Sequence, residues 1–136
     1  MKKGLIIVLV IVLSVLCSLC IVGCGNLMGS LFLNFEKIYS ECGCESPWAE
    51  YGDDYITIDS NPYDYDGDSY YSTTYIFEAS DAIKEINEKL GLPDYLYDEM
   101  QETRAIDGRQ SFSGDKVDVS WRYHPDSGLE VRYTKK

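Results

Sequence analysis

Apolar and polar residues alternate most regularly near the end of the chain. Every second position is apolar in two stretches, comprising Val117, Val119, Trp121 and Tyr123 and then Leu129, Val131 and Tyr133. A period of two is typical of strands with one buried face. We therefore predict a C-terminal β-hairpin whose turn lies at residues 124–128. Residues 109–113 have the composition of a third strand, and residues 55–59 alternate like a shorter one.

The middle of the chain has the spacing of helices instead. Ile83, Ile86 and Leu90 would share one face of a helix that Ser80 or Asp81 caps and Gly91 ends. A second helix should follow Pro93 and carry Leu96, Tyr97 and Met100, while residues 70–77 fit either a strand or the lead-in to the first helix. The pattern predicts an α+β domain over residues 51–136, in which two helices pack on an antiparallel sheet ending in the hairpin.

The N-terminus has a different pattern, an unbroken apolar run over residues 5–13 behind Lys2 and Lys3. A positive start, an apolar stretch and small residues before a cleavage point are typical of an export signal, which we predict over residues 1–23 as a helix. The run ends in Ile21-Val22-Gly23-Cys24, which resembles the lipobox of a bacterial lipoprotein, although Val22 is larger than the usual residue there. The resemblance implies cleavage after Gly23 and a diacylglyceryl group on the thiol of Cys24.

Two other interpretations of this segment stay open. Residues 5–22 reach the minimum length of a membrane-spanning helix, so the signal could be retained as an anchor, or it could be a plain secretory signal. All three interpretations place the chain after residue 24 outside the cytoplasm. In the lipoprotein interpretation, the mature chain is attached to the extracytoplasmic face of the cell membrane by its lipid.

Between the signal and the domain we expect a tether over residues 24–50. Its apolar residues recur at helical spacing, so an amphipathic helix there would either lie in the membrane interface or pack on the domain. Cys42 and Cys44 fall within the tether. We expect them to be an exposed pair without a structural role, with a strained local disulfide or a metal site as the alternatives.

The charge of the chain excludes one class of partner. The full sequence carries a net charge of −11, and removal of the signal with Lys2 and Lys3 leaves ten basic and 23 acidic residues, or −13. A chain this acidic is repelled by phosphate backbones, so we expect no nucleic-acid partner.

Several short segments together resemble a known group of proteins. They lie at residues 58–64, 82–87, 91–93, 103–110 and 119–126, and they resemble small secreted or lipoprotein-like proteins of Firmicutes-type bacteria. That group has no assigned activity. The resemblance therefore implies one compact domain over roughly residues 55–136 and no catalytic residues.

Alternate carboxylates form the clearest chemical motif of the chain. Asp64, Asp66 and Asp68 surround a glycine, an arrangement with which a loop can wrap a Ca²⁺ ion in oxygens. Ser69 and Tyr75 stand where an EF-hand loop would need Gly and Glu. The alternatives are a weak calcium site and a solvated acidic loop without a cofactor.

Tyrosines give the second candidate site. Tyr63, Tyr65, Tyr70 and Tyr71 would form a recognition surface for an envelope protein or a glycan, unless they cover the core of this small domain. The lone His124 lies in the hairpin turn without an evident nucleophile, so we expect it to bond locally. We therefore predict a membrane-anchored, non-enzymatic binding module, with a weak calcium-binding module or a small envelope hydrolase using paired carboxylates as alternatives.

Overall fold

The predicted hairpin lies inside a five-stranded antiparallel sheet. The computed structural model describes residues 33–65 and 70–136, without the side chains of residues 71 and 72. The described residues form, in chain order, helix α1 (Phe35–Glu41), strands β1 (Ala49–Tyr51) and β2 (Tyr55–Asp59), helices α2 (Tyr70–Leu90) and α3 (Tyr95–Glu102), a 3-10 turn (Ala105–Asp107), and strands β3 (Gln110–Ser113), β4 (Val117–His124) and β5 (Gly128–Lys135). The strand order is β1-β2-β5-β4-β3, which confirms the α+β class and the antiparallel sheet.

The register of the central strands explains the buried face of the sheet. Val131 of β5 pairs with Ile58 of β2 on one side and with Trp121 of β4 on the other, and all three side chains are buried. Tyr133 forms the next buried row with its own partners on both sides. Because side chains alternate along a strand, the opposite face of the sheet carries the polar residues of β2, β4 and β5.

Helix α2 is longer than the sequence predicted. It begins at Tyr70, so the caps expected at Ser80 or Asp81 are wrong, whereas the predicted apolar face at Ile83, Ile86 and Leu90 is buried as expected. The β-branched and aromatic residues before position 78 favour strands, yet they are helical here. Within the helix, the Thr74 hydroxyl donates to the carbonyl oxygen of Tyr70 at 3.1 Å.

The C-terminal end of α2 is where the sequence placed it. Gly91 has a φ of +67° and its N–H donates to the carbonyl oxygen of Glu88, while the N–H of Leu92 donates to that of Asn87. This pair of bonds is a Schellman motif, whose left-handed position favours glycine. The predicted second helix, α3, follows directly and buries Leu96 and Met100.

The domain starts earlier than residue 51. The compact unit begins at Asn34, and Phe35 and Trp48 are each only 2% exposed, in a segment predicted as a tether. The Asn34 side chain accepts a hydrogen bond from the N–H of Lys37 and caps α1, which contacts β1 and β2. The short helix thus belongs to the hydrophobic core.

Burial of this segment also overturns the prediction for its cysteines. Cys42 and Cys44 are both buried and both free, so the expected exposed pair is wrong and no disulfide joins them. Burial, followed by the nearby Glu85 carboxylate, raises the pKa of the Cys42 thiol to about 11. Burial and the neighbouring Cys42 raise the pKa of the Cys44 thiol to about 12.

Candidate functional site

One asparagine fastens two turns of the domain together. Asn61 is only 5% exposed, and its side-chain nitrogen donates to the carbonyl oxygens of Tyr65 at 3.0 Å and of Asp126 at 2.8 Å. Its side-chain oxygen accepts from the N–H of Tyr65 at 3.1 Å. Asn61 therefore holds the segment after β2 against the β4–β5 turn, which is 65 residues away in sequence.

The neighbouring residues bring the same two segments into close contact. The N–H of Ser60 donates to the carbonyl oxygen of Leu129 at 2.9 Å, and the N–H of Leu129 donates to the Ser60 hydroxyl at 2.7 Å. Gly128 has a φ of +73°, and a Cβ at this position would lie 2.5 Å from the Ser60 oxygen. Glycine is thus required here both by the backbone conformation and by the approach of β2.

A cleft of about 230 Å³ lies beside these turns, and we name it the tyrosine cleft. Its walls include Tyr65, Ile76, Gln101, Tyr123 and Pro125, with the buried Met100 and Leu129 also in its lining. Each of Tyr65, Ile76 and Tyr123 is between 37% and 40% exposed, so their apolar surfaces are open to a partner. The cleft combines apolar walls with the polar tips of tyrosine and glutamine, as recognition sites do.

The tyrosine cleft continues into a cluster of aromatic rings. The ring centroids of Tyr63 and Tyr65 are 5.4 Å apart, and those of Tyr63 and Tyr75 are 6.3 Å apart. Tyr63 is 55% exposed, and Tyr70, the first residue of α2, is 80% exposed. The structure therefore brings together two of the four predicted tyrosines and leaves Tyr70 on the surface, while the side chain of Tyr71 is outside the description.

Sequence reasoning missed several residues of this site. The sequence pattern fits Tyr75 and Ile76 to either a strand or a helix, and it indicates for Tyr123 only a place in a strand. The turn at residues 124–128 was predicted, and the Asn-Pro-Tyr-Asp sequence of residues 61–64 is also typical of a turn. Their contact through Asn61 depends on β2 lying next to β5, which no local pattern reveals.

The predicted calcium loop is described only at its first carboxylate. Asp64 is exposed, has a φ of +51°, and donates its N–H to the carbonyl oxygen of Asn61 at 3.0 Å, whereas Asp66 and Asp68 lie outside the described residues. Within residues 33–65 and 70–136, no three His, Cys, Asp or Glu side chains are grouped closely enough to hold a metal ion. Calcium binding stays a prediction.

A second cleft, of about 440 Å³, lies over charged residues of the polar sheet face. Glu130 accepts from Arg109 at 2.8 Å with one carboxylate oxygen and from Arg122 at 2.9 Å with the other. Partial burial alone would raise the pKa of the Glu130 carboxyl, but these two arginines hold it below its ordinary value. Asp59 stands opposite Glu130 in the register, and burial raises the pKa of its carboxyl although the N–H of Asn61 donates to it.

An acid–base hydrolase needs two carboxyl groups with different pKa values. The pKa is raised for Asp59 and lowered for Glu130, so these two groups are the ones to consider. Both oxygens of Glu130 are nevertheless occupied, so this group can act as a nucleophile or base only by breaking two charge-assisted hydrogen bonds. His124 accepts a hydrogen bond from the N–H of Asp126 at 3.2 Å, as the local role predicted for it requires. Glu130 therefore belongs to a structural network of ion pairs, and the hydrolase alternative stays a prediction.

The predicted anchor is outside the part of the chain that the structure describes. The signal over residues 1–23 and the lipidation site Cys24 both fall there. In the described ranges, no helix combines the length and the apolar character needed to cross a membrane.

Comparisons with known proteins do not assign the chain to a family. No protein-family model, curated protein or solved structure matches it. The function is therefore argued from the residues and from the site.

Proposed function

We propose that this chain is a lipid-anchored, extracytoplasmic binding module that holds an envelope component in the tyrosine cleft. The observation that carries the proposal is the cleft itself, in which Tyr65, Ile76 and Tyr123 expose apolar surface at one place. The sequence supplies the location, because the lipobox ending in Cys24 would attach the mature chain to the membrane.

The walls of the tyrosine cleft are suited to binding because they are already in place. The part-buried hydrogen bonds of Asn61 and the buried one of Ser60 fix the backbone on two sides, so little conformational entropy is lost when a partner binds. Tyrosine adds a large, stiff ring with a polar tip, and such residues are enriched in recognition surfaces. Exposed apolar surface that is gathered in one place is typical of interaction sites.

A photo-cross-linking experiment in the native cell tests this proposal. A photoreactive amino acid replaces Tyr123 in the full-length chain, and the same residue replaces Tyr95 of α3, which is 53% exposed and outside the cleft lining, as the control. We expect a discrete adduct from position 123 that disappears when Tyr65→Ala is added, and none from position 95. Equal adducts at both positions, or an adduct that is insensitive to Tyr65→Ala, would contradict the proposal.

A further inference from the structure

Acidic residues are next in sequence to several residues that line the tyrosine cleft, although the lining itself carries no charged side chain. Besides Glu99 of α3, four exposed carboxylates are each adjacent in sequence to a lining residue, and they are Asp64, Asp81, Glu102 and Asp126. They come from four different segments: the turn after β2, the middle of α2, the end of α3 and the β4–β5 turn. Four segments that contribute to the lining thus each carry a carboxylate next to a lining residue.

Basic residues do not neutralise this charge. From residue 38 to residue 83 the sequence has 11 acidic residues and neither lysine nor arginine. Among the described ion pairs, none joins a lysine or arginine to any of the four carboxylates, and only His124 approaches one of them, at 3.8 Å from Asp126. Arg122, which precedes Tyr123, is bonded to Glu130 on the polar face of the sheet. We therefore expect a negative potential at the cleft.

Tyrosine rings reinforce the preference for a cation. The face of an aromatic ring is electronegative and attracts ammonium or guanidinium groups within about 6 Å of its centroid. The domain already contains such a contact, because the guanidinium of Arg132 lies 4.1 Å from the ring centroid of Tyr55. Tyr63 and Tyr65 beside the cleft are exposed, so a cation from a partner can contact their rings in the same way.

The size of the tyrosine cleft indicates what kind of partner carries the cation. Its volume of about 230 Å³ is below the roughly 300–1,000 Å³ of most small-molecule sites. Such a cleft accepts individual side chains of a longer segment more readily than a whole ligand. Ile76 and Leu129 would contact an apolar side chain or the methylene stem of a lysine.

We infer that the tyrosine cleft binds a basic protein segment, in which lysine or arginine residues stand beside an apolar residue. The apolar side chain enters the cleft, and the flanking cations meet the four carboxylates and the tyrosine rings. Polyanionic envelope components are repelled by the same charges. This inference rests on the proposed function of the cleft and adds the chemistry of the partner.

An NMR titration of the full chain in zwitterionic micelles tests the inference with defined probes. The probe is the blocked tripeptide Lys-Leu-Lys, compared with Glu-Leu-Glu and with a tetramer of N-acetylglucosamine, and empty micelles serve as the blank. We expect saturable amide shifts for Lys-Leu-Lys that are confined to cleft residues, and weaker binding at higher salt. The Tyr65→Ala variant should weaken its affinity about three- to tenfold.

A matched pair of variants isolates the contribution of charge. Asp64→Asn with Asp126→Asn removes two carboxylates beside the cleft, whereas Asp53→Asn with Asp54→Asn removes two exposed ones in the β1–β2 turn. All four positions are exposed, so the amide spectrum should show an unchanged fold. We expect weaker binding of Lys-Leu-Lys and a smaller salt effect only in the first pair.

Three results would overturn the inference: equal binding of Glu-Leu-Glu, binding of the sugar alone, or no shifts in the cleft with any probe. A Tyr65-dependent cross-link at position 123 together with one of these results would reject the basic partner and keep the binding module. If neither the Tyr65-dependent cross-link nor amide shifts with Lys-Leu-Lys are observed, both proposals are rejected.

Discussion

The phenol of Tyr133 donates a hydrogen bond to the side-chain oxygen of Asn87 at 2.8 Å in the interior of the domain. Tyr133 is in β5 and Asn87 is in α2, so the bond joins the sheet to the long helix. Burial, followed by the nearby cysteines, raises the pKa of the phenol, which stays protonated as a donor. The bond is buried, as is the longer contact of the same hydroxyl with the carbonyl oxygen of Ile83 at 3.4 Å.

The Tyr133→Phe variant should therefore lose stability. Removing the hydroxyl leaves the buried oxygen of Asn87 without this donor, a change that costs about 1–3 kcal/mol of the free energy of unfolding. Urea denaturation measures it. Tyr95→Phe, the same change at an exposed residue, should alter the free energy by less than about 0.5 kcal/mol, and equal effects of the two variants would refute the role of the bond.

Asn61→Ala should loosen the tyrosine cleft as well as the fold. The change removes two donated bonds and one accepted bond, leaving the carbonyl oxygens of Tyr65 and Asp126 without their partner. We expect a loss of about 1–3 kcal/mol and faster amide hydrogen exchange at Tyr65. Asn34→Ala, which removes only the cap of α1, is the control and should leave exchange at Tyr65 unchanged. Unchanged exchange in Asn61→Ala would show that the turn is held by other contacts.

Stability should fall in alkaline solution because of the two buried thiols. Their pKa values are raised from 9.0 to about 11 for Cys42 and about 12 for Cys44. The unfolded chain loses these protons first, so the stabilisation is present below pH 9 and is lost as the pH rises toward the folded values.

Cys42 contributes to this decrease on its own, and Cys44 adds a similar contribution. Between pH 8 and pH 10 the contribution of Cys42 amounts to roughly 1–2 kcal/mol in the free energy of unfolding. Urea titrations at both pH values measure it, and Cys42→Ala with Cys44→Ala should make the decrease smaller. An identical decrease in that variant would assign the pH dependence to other groups, of which the Tyr133 phenol is one.

Calcium titration of the full chain tests whether the predicted acidic loop binds the ion. If Asp64, Asp66 and Asp68 form the weak site that their spacing predicts, calorimetry should give a Kd of about 10⁻⁴–10⁻³ M. Asp66→Ala should abolish this binding, whereas Asp53→Ala should not. Heat of binding that persists in Asp66→Ala would move the site elsewhere.

The sequence predicted those elements in which local pattern and burial agree. Val119, Trp121 and Val131 alternate with polar residues because one face of their strands is buried, so the hairpin was found with its correct turn. The first turns of α2 were not assigned, because Thr74 and Tyr75 suit strands equally well. Phe35 and Trp48 could not be recognised as core residues, since nothing local shows that α1 packs against β1 and β2.

The candidate site was predictable only in part. Tyr63 and Tyr65 were identified from composition. Tyr123 and Ile76 line the cleft with Tyr65 only because the tertiary structure brings them together. Asn61 carries no signal beyond its place in a turn. Its role depends on the turn at residues 124–128, which the strand order brings to it.

The proposed lipid on the thiol of Cys24 would hold the tyrosine cleft at the membrane, and intact mass spectrometry of the native chain tests this anchor most directly. Membrane-extracted protein should begin at Cys24, carry the mass of a diacylglyceryl group and lack residues 1–23, and Cys24→Ser should abolish the modification. A chain recovered from the cytosolic fraction with Met1 in place and no fatty acid would contradict a lipid-anchored binding module.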